Sequence, residues 1–91
     1  MLNPEEIENI VFPYTSHLKN VVGCSTPYLR EENGRVVYKS PLLVKTDDRT
    51  IDMVGIVEIT LDPYSGKILK TYSEEEIKNK VNDLLSRNAD G

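Results

Sequence analysis

The chain has 91 residues, 38% hydrophobic and 29% charged, with a net charge of −4 and a pI near 4.9. That describes a single small globular domain over residues 1–91 with a thin core, and excludes a disordered or multidomain chain. The acidic balance argues against nucleic acid as a partner, and no apolar run approaches the roughly 20 residues needed to cross a membrane.

Asn3-Pro4-Glu5-Glu6 opens a helix. Asn3 caps, Pro4 suits the first helical position, and Glu6 completes a capping box. Apolar residues then recur at Ile7, Ile10, Val11, Tyr14, Leu18, Val21 and Val22. This spacing predicts one helical face carried to Gly23. Pro13 lacks a backbone donor, so the reading is one kinked helix, or two short ones with the second starting at Thr15 or Ser16. Before this helix, Met1 to Glu6 shows no basic region followed by an apolar one, and the expectation is a cytoplasmic chain. A single cysteine, Cys24, permits no internal disulfide framework and fits a reducing compartment.

Tyr28–Glu32 and Arg35–Thr46 flank Asn33-Gly34, a strong hairpin signal. A two-residue loop sets Glu32 against Arg35 and Tyr28 against Lys39, and leaves Pro41 beyond the shorter arm. Val36, Tyr38, Leu42 and Val44 then share the core face, while Arg35, Lys39 and Lys45 form a basic stripe read as a solvated outer face.

After the polar turn Asp47-Asp48-Arg49-Thr50, a strand over Ile51–Leu61 places Ile51, Met53, Val57, Ile59 and Leu61 on the core face. Asp52, Val54, Ile56, Glu58 and Thr60 lie opposite. Asp62-Pro63-Tyr64-Ser65-Gly66 is a turn, and Lys67–Tyr72 the returning strand. Ser73-Glu74-Glu75-Glu76 is a second capping box. Ile77, Val81, Leu84 and Leu85 form the buried stripe of the last helix, and Asn88-Ala89-Asp90-Gly91 a fraying end. Glu74–Lys78 and Glu76–Lys80 have the spacing of helical ion pairs worth about 0.2–0.5 kcal/mol each.

The expected fold is α+β in the order α-β-β-β-β-α. It is a four-stranded antiparallel meander with an N-terminal kinked helix and a C-terminal helix on one face. Gly55-Ile56-Val57-Glu58-Ile59-Thr60-Leu61-Asp62-Pro63-Tyr64-Ser65-Gly66-Lys67-Ile68-Leu69 resembles the closing hairpin of PepSY-like domains. These are usually extracytoplasmic and are thought to act as binding or inhibitory modules. The resemblance covers residues 55–69 and carries over no functional residue.

Chemistry-bearing residues are few. His17 and Cys24 form the one nucleophile–base combination. Seven residues of helix would separate them by about 10 Å, outside hydrogen-bond reach. Asp47, Asp48 and Asp52 offer hard oxygen ligands but lack the glycine and distal glutamate of a calcium loop. Tyr28 and Tyr64 follow prolines and suit a recognition surface, or lie back on the core. No cofactor is expected.

The leading expectation is a noncatalytic protein-binding or regulatory module acting through its sheet, as a homodimer or with another protein. Val54 and Ile56, with Val37 and Leu43 on the neighbouring strand, form the expected interaction face. The alternative is a small ligand-binding domain or enzyme using His17, Cys24 or the Asp47/Asp48/Asp52 cluster. A weaker third reading is a nucleic-acid-associated regulator using the basic stripe.

Overall fold

The computed structural model describes residues 1–89. They form α1 (Pro4–Thr15), β1 (Val21–Cys24), β2 (Tyr28–Glu32), β3 (Arg35–Lys45), β4 (Thr50–Asp52), β5 (Glu58–Leu61), β6 (Ile68–Lys70) and α2 (Glu74–Ala89). The fold is α+β, with every strand pair antiparallel. Long β3 is the spine. β1 and β2 both pair with it, as do β4 and β5, and β6 joins β5. The expected meander is therefore present, but it has six strands rather than four: the strand expected over Ile51–Leu61 is broken into β4 and β5, and β1 forms from residues expected to be helical.

The register begins at the β2–β3 hairpin. Asn33 and Gly34 both have positive φ, 53° and 80°, as a two-residue turn with the twist of its strands requires. Glu32 faces Arg35 and Tyr28 faces Lys39. Pro41 sits in the middle of β3 without losing a ladder bond. The Leu42 N–H points to Val57, whereas the Pro41 carbonyl, on the opposite edge, accepts from Ser25 N–H. The missing Pro41 donor thus faces the connector between β2 and β1, where no strand asks for it.

One interruption breaks the strand expected over Ile51–Leu61. Leu42 accepts from Met53 N–H at 2.9 Å and donates to the Val57 carbonyl at 3.1 Å, so the residues between are pinched out of the ladder. They close into one tight turn, with Ile56 and Val57 N–H both donating to the Met53 carbonyl. Gly55 takes φ 78°, and the Asp52 side chain accepts from Val54 N–H at 3.1 Å. Residues 54–57 make an even insertion, so alternation resumes in phase. Met53, Val57, Ile59 and Leu61 are all fully buried on the expected face.

The first helix is shorter than its apolar spacing predicts. It ends at Thr15, and Val21 and Val22 belong to β1. Pro13 cannot donate to the preceding turn. The Ser16 hydroxyl then donates to the Pro13 carbonyl, and Asn20 turns the chain with φ 67°. Two adjacent β-branched valines then favour the ladder beside β3. Their phase with Leu18 imitates a continuing helix. A bulge between Val21 and Gly23 leaves Val22 exposed.

Both helices pack on one face of the sheet. Ile7 and Val11 of α1 and Ile77 and Val81 of α2 join Tyr38, Leu42, Val44, Ile59 and Leu61 in one core. Leu84 and Leu85 are only half-buried. Both capping boxes form. Asn3 and Glu6 exchange bonds of 2.9 and 2.8 Å, and Ser73 and Glu76 bonds of 3.0 and 3.1 Å. The expected Glu74–Lys78 and Glu76–Lys80 pairs do not form, because stronger partners hold both acids. Glu74 accepts from Lys19 N–H, and Glu76 from Ser73 N–H. Among the described residues the ion pair within α2 is Asp83–Arg87, at 2.8 Å. The helix continues through Ala89, and Asp90 and Gly91 of the expected fraying end lie outside the described residues. No helix among the described residues is long and apolar enough to cross a membrane.

Candidate functional site

The four residues of the expected interaction face do not share one exposed surface. Val54 is exposed, but it lies in the pinched-out turn, not on a strand. Ile56 belongs to the same turn, is partly buried against the core, and shares a small cavity with Leu84 of α2. Leu43 is half-buried, and Val37 is only 3% exposed. Strand parity assigned Val37 to the outer face correctly, but its neighbours fold over it.

Those neighbours make the outer face a polar layer in place of a solvated stripe. Lys39, expected in solvent, is 7% exposed. Its ammonium donates to Thr60 Oγ1 at 2.9 Å and lies 2.8 Å from Glu32 Oε2. Glu32 pairs with Arg35 and Lys39 with Tyr28, so this contact runs along the strands. The lysine stem is buried and its charge is satisfied. The bond from Lys39 holds the Glu32 carboxyl below its ordinary pKa. Beside this pair, Tyr28 Oη and Gly55 N–H both donate to Glu58 Oε2. Burial first, then the Glu58 carboxylate, raise the Tyr28 pKa. Glu58 thereby ties β2 and the pinched-out turn to β5.

The nucleophile–base candidates are held by different elements. His17 is exposed in the turn after α1, while Cys24 ends β1, half-buried beneath the helix. Burial pushes the Cys24 thiol up from its ordinary value of 9.0, partly offset by the Ser40 hydroxyl and reinforced by Glu8. A raised thiol pKa is the opposite of nucleophile activation.

The aspartates hold turns. Asp48 accepts from Thr46 Oγ1, and Asp52 from Val54 N–H and Ser25 Oγ. Asp47 is exposed. The described residues contain no group of three or more His, Cys, Asp or Glu placed to hold a metal ion. Asp62 shapes the β5–β6 turn by accepting from Tyr64 and Ser65 N–H, and it pairs with Arg35 at 3.0 Å.

Two concavities flank α2. The larger is an open groove of about 870 Å³ with Val44, Ile77, Val81 and Leu85 in its floor. Lys19, Lys45 and Lys78 are matched there by Asp47, Glu74 and Glu75, so it selects neither anions nor cations.

Two adjacent exposed aliphatic residues lie instead at the hairpin end of the sheet. Leu29 is 45% and Val36 44% exposed. Leu29 pairs with Tyr38 and Glu31 with Val36, so the two apolar residues are diagonal neighbours on the core-side face. Tyr38 Oη donates to the Leu2 carbonyl just before α1. Toward the hairpin turn from that point, the strands extend past the helical layer. The sequence assigned Val36 to the core by parity. Alternation reports which face a residue is on and not whether anything covers it. The signal that was available is length, since an eleven-residue β3 extends beyond a twelve-residue α1. Tyr64 is also exposed, in the β5–β6 turn. The chain matches no protein-family model, no curated protein and no solved structure.

Proposed function

We propose that this α+β domain is a noncatalytic protein-binding or regulatory module that acts through the β2–β3 end of its sheet. The observation that carries this reading is the adjacent exposure of Leu29 and Val36 on strands that overhang the helical layer. Aliphatic side chains paired on a rigid hairpin present apolar area at little entropic cost on binding. The acidic and basic residues nearby, Arg30, Glu31 and Arg35, supply the polar rim such a contact needs. The resemblance of residues 55–69 to PepSY-like domains supports the same class of activity. A single free cysteine suits a reducing, cytoplasmic setting.

The test is photo-crosslinking in the native host from a reactive amino acid at position 29 or 36, with position 48 as the control. The reading expects protein adducts from positions 29 and 36 and none from position 48. Adducts confined to position 48, or none at all, overturn it.

A further inference from the structure

The free edge of β2 has a self-complementary pattern. Backbone groups along β3 alternate in direction. Lys45 N–H donates to Asn20 and the Pro41 carbonyl accepts from Ser25, so the odd-numbered residues of β3 face β1 and β2. Their partners Tyr28, Arg30 and Glu32 use their own N–H and C=O groups on β3. Leu29 and Glu31 therefore turn theirs outward, and no strand among the described residues pairs with them there. An open edge of this kind is a template for another strand.

From this pattern, and resting on the binding-module reading above, we propose that the partner is a second copy of this chain, joined β2 to β2 in one continuous antiparallel sheet. A two-fold axis normal to the sheet places residues of like face opposite each other, so it must pass through a residue of β2. Through Arg30 it opposes two guanidinium groups, and through Glu31 two carboxylates. Like charges directly opposed are destabilising. Through Leu29 it joins two leucines and sets each Tyr28 against Arg30 of the second copy, an aromatic–cation pair made twice.

In that register each Leu29 N–H donates to the Leu29 carbonyl of the other copy. Each Glu31 N–H donates to the Pro27 carbonyl of the other copy, and the ladder ends there because proline has no N–H to return. On the core-side face, Val36, Leu29, and the same two residues of the second copy form one apolar strip across the axis. The charged residues of β2, which ordinarily guard an edge, here select the register.

Sedimentation of the full chain across a concentration series, with register mapping by cysteine, tests this. Wild type is expected to move toward twice the 10.3 kDa chain mass as concentration rises. Leu29→Lys is expected to stay at the chain mass with its thermal midpoint retained. In a Cys24→Ser background, Leu29→Cys is expected to form a disulfide-linked dimer several-fold faster than Arg30→Cys or Glu31→Cys. The α-carbons of a hydrogen-bonded antiparallel pair lie about 5.5 Å apart, within disulfide range. Fastest linkage from position 30 or 31 overturns the Leu29 axis. A wild type that stays monomeric at every concentration overturns self-pairing. If position 29 then crosslinks in the host to a different protein, the binding-module reading stands alone, and if positions 29 and 36 give no adduct, both fail.

Discussion

The Lys39 ammonium meets the Glu32 carboxylate at 2.8 Å, although Glu32 is paired with Arg35 and Lys39 with Tyr28. The contact runs along the strands, not across them, and the lysine stem that makes it is buried. The apolar stem and the charge therefore have separable roles.

Lys39→Met keeps most of the stem and removes the charge. Glu32 is 36% exposed and can be hydrated when left alone, so the expected loss is under about 1 kcal/mol. Lys39→Ala removes three buried methylenes as well. At about 0.8 kcal/mol per buried methylene, its expected loss is about 2 kcal/mol. Urea denaturation of the two variants compares them. Equal destabilisation would show that the ion pair, and not the stem, is what matters.

Asp62 sets the acid limb of the stability curve. The Ser65 and Tyr64 N–H groups hold its carboxyl below the ordinary value of 3.8, with Arg35 adding to the effect. A folded-state pKa that is depressed contributes stability fully present above the unfolded value and lost as pH falls through the lowered one. Glu76 and Glu32 are depressed likewise, by Ser73 and Lys39 respectively. Asp62→Asn is therefore expected to flatten the fall in thermal midpoint in acid below the ordinary carboxyl range. An unchanged acid slope would remove Asp62 from the account.

Cys24 acts at the other end of the pH scale. Burial raises its thiol above 9.0, so the neutral form is favoured in the folded chain. Its contribution is fully present below 9.0 and is lost as pH rises through the raised folded value. At neutral pH, modification by a thiol reagent is expected to be slow and unaffected by His17→Ala. Fast modification that slows in the His17 variant would restore the nucleophile–base pair.

Ser73 caps α2, with its Oγ accepting from Glu76 N–H at 3.1 Å. Ser73→Ala is expected to cost about 0.5–2 kcal/mol and to raise amide exchange first at the start of that helix. The next residue, Glu74, anchors the helix to the Lys19 backbone. Ser73→Asp, which caps as well, is expected to restore stability. No difference between the alanine and aspartate variants would mean that the cap is idle.

The sequence by itself determined whatever depends on near neighbours. The Asn33-Gly34 turn fixed the β2–β3 register because both its residues adopt positive φ. Asn3 and Ser73 marked the helix starts because each capping box closes over three residues. Period-two alternation put Met53, Val57, Ile59 and Leu61 in the core, and that survived an interrupted strand because the insertion is even. Tertiary structure decided the rest. Val21 and Val22 fit helical phase, and only the open edge of β3 made them a strand. The Leu42 bonds to Met53 and Val57, from across the sheet, pinched out Val54–Ile56 and took Val54 and Ile56 off the strand. Lys39 and Val37 are both buried on the face expected to be solvated, and Val36 stayed exposed because α1 stops short of the hairpin. Solvent cover depends on residues distant in sequence, and no local period carries it.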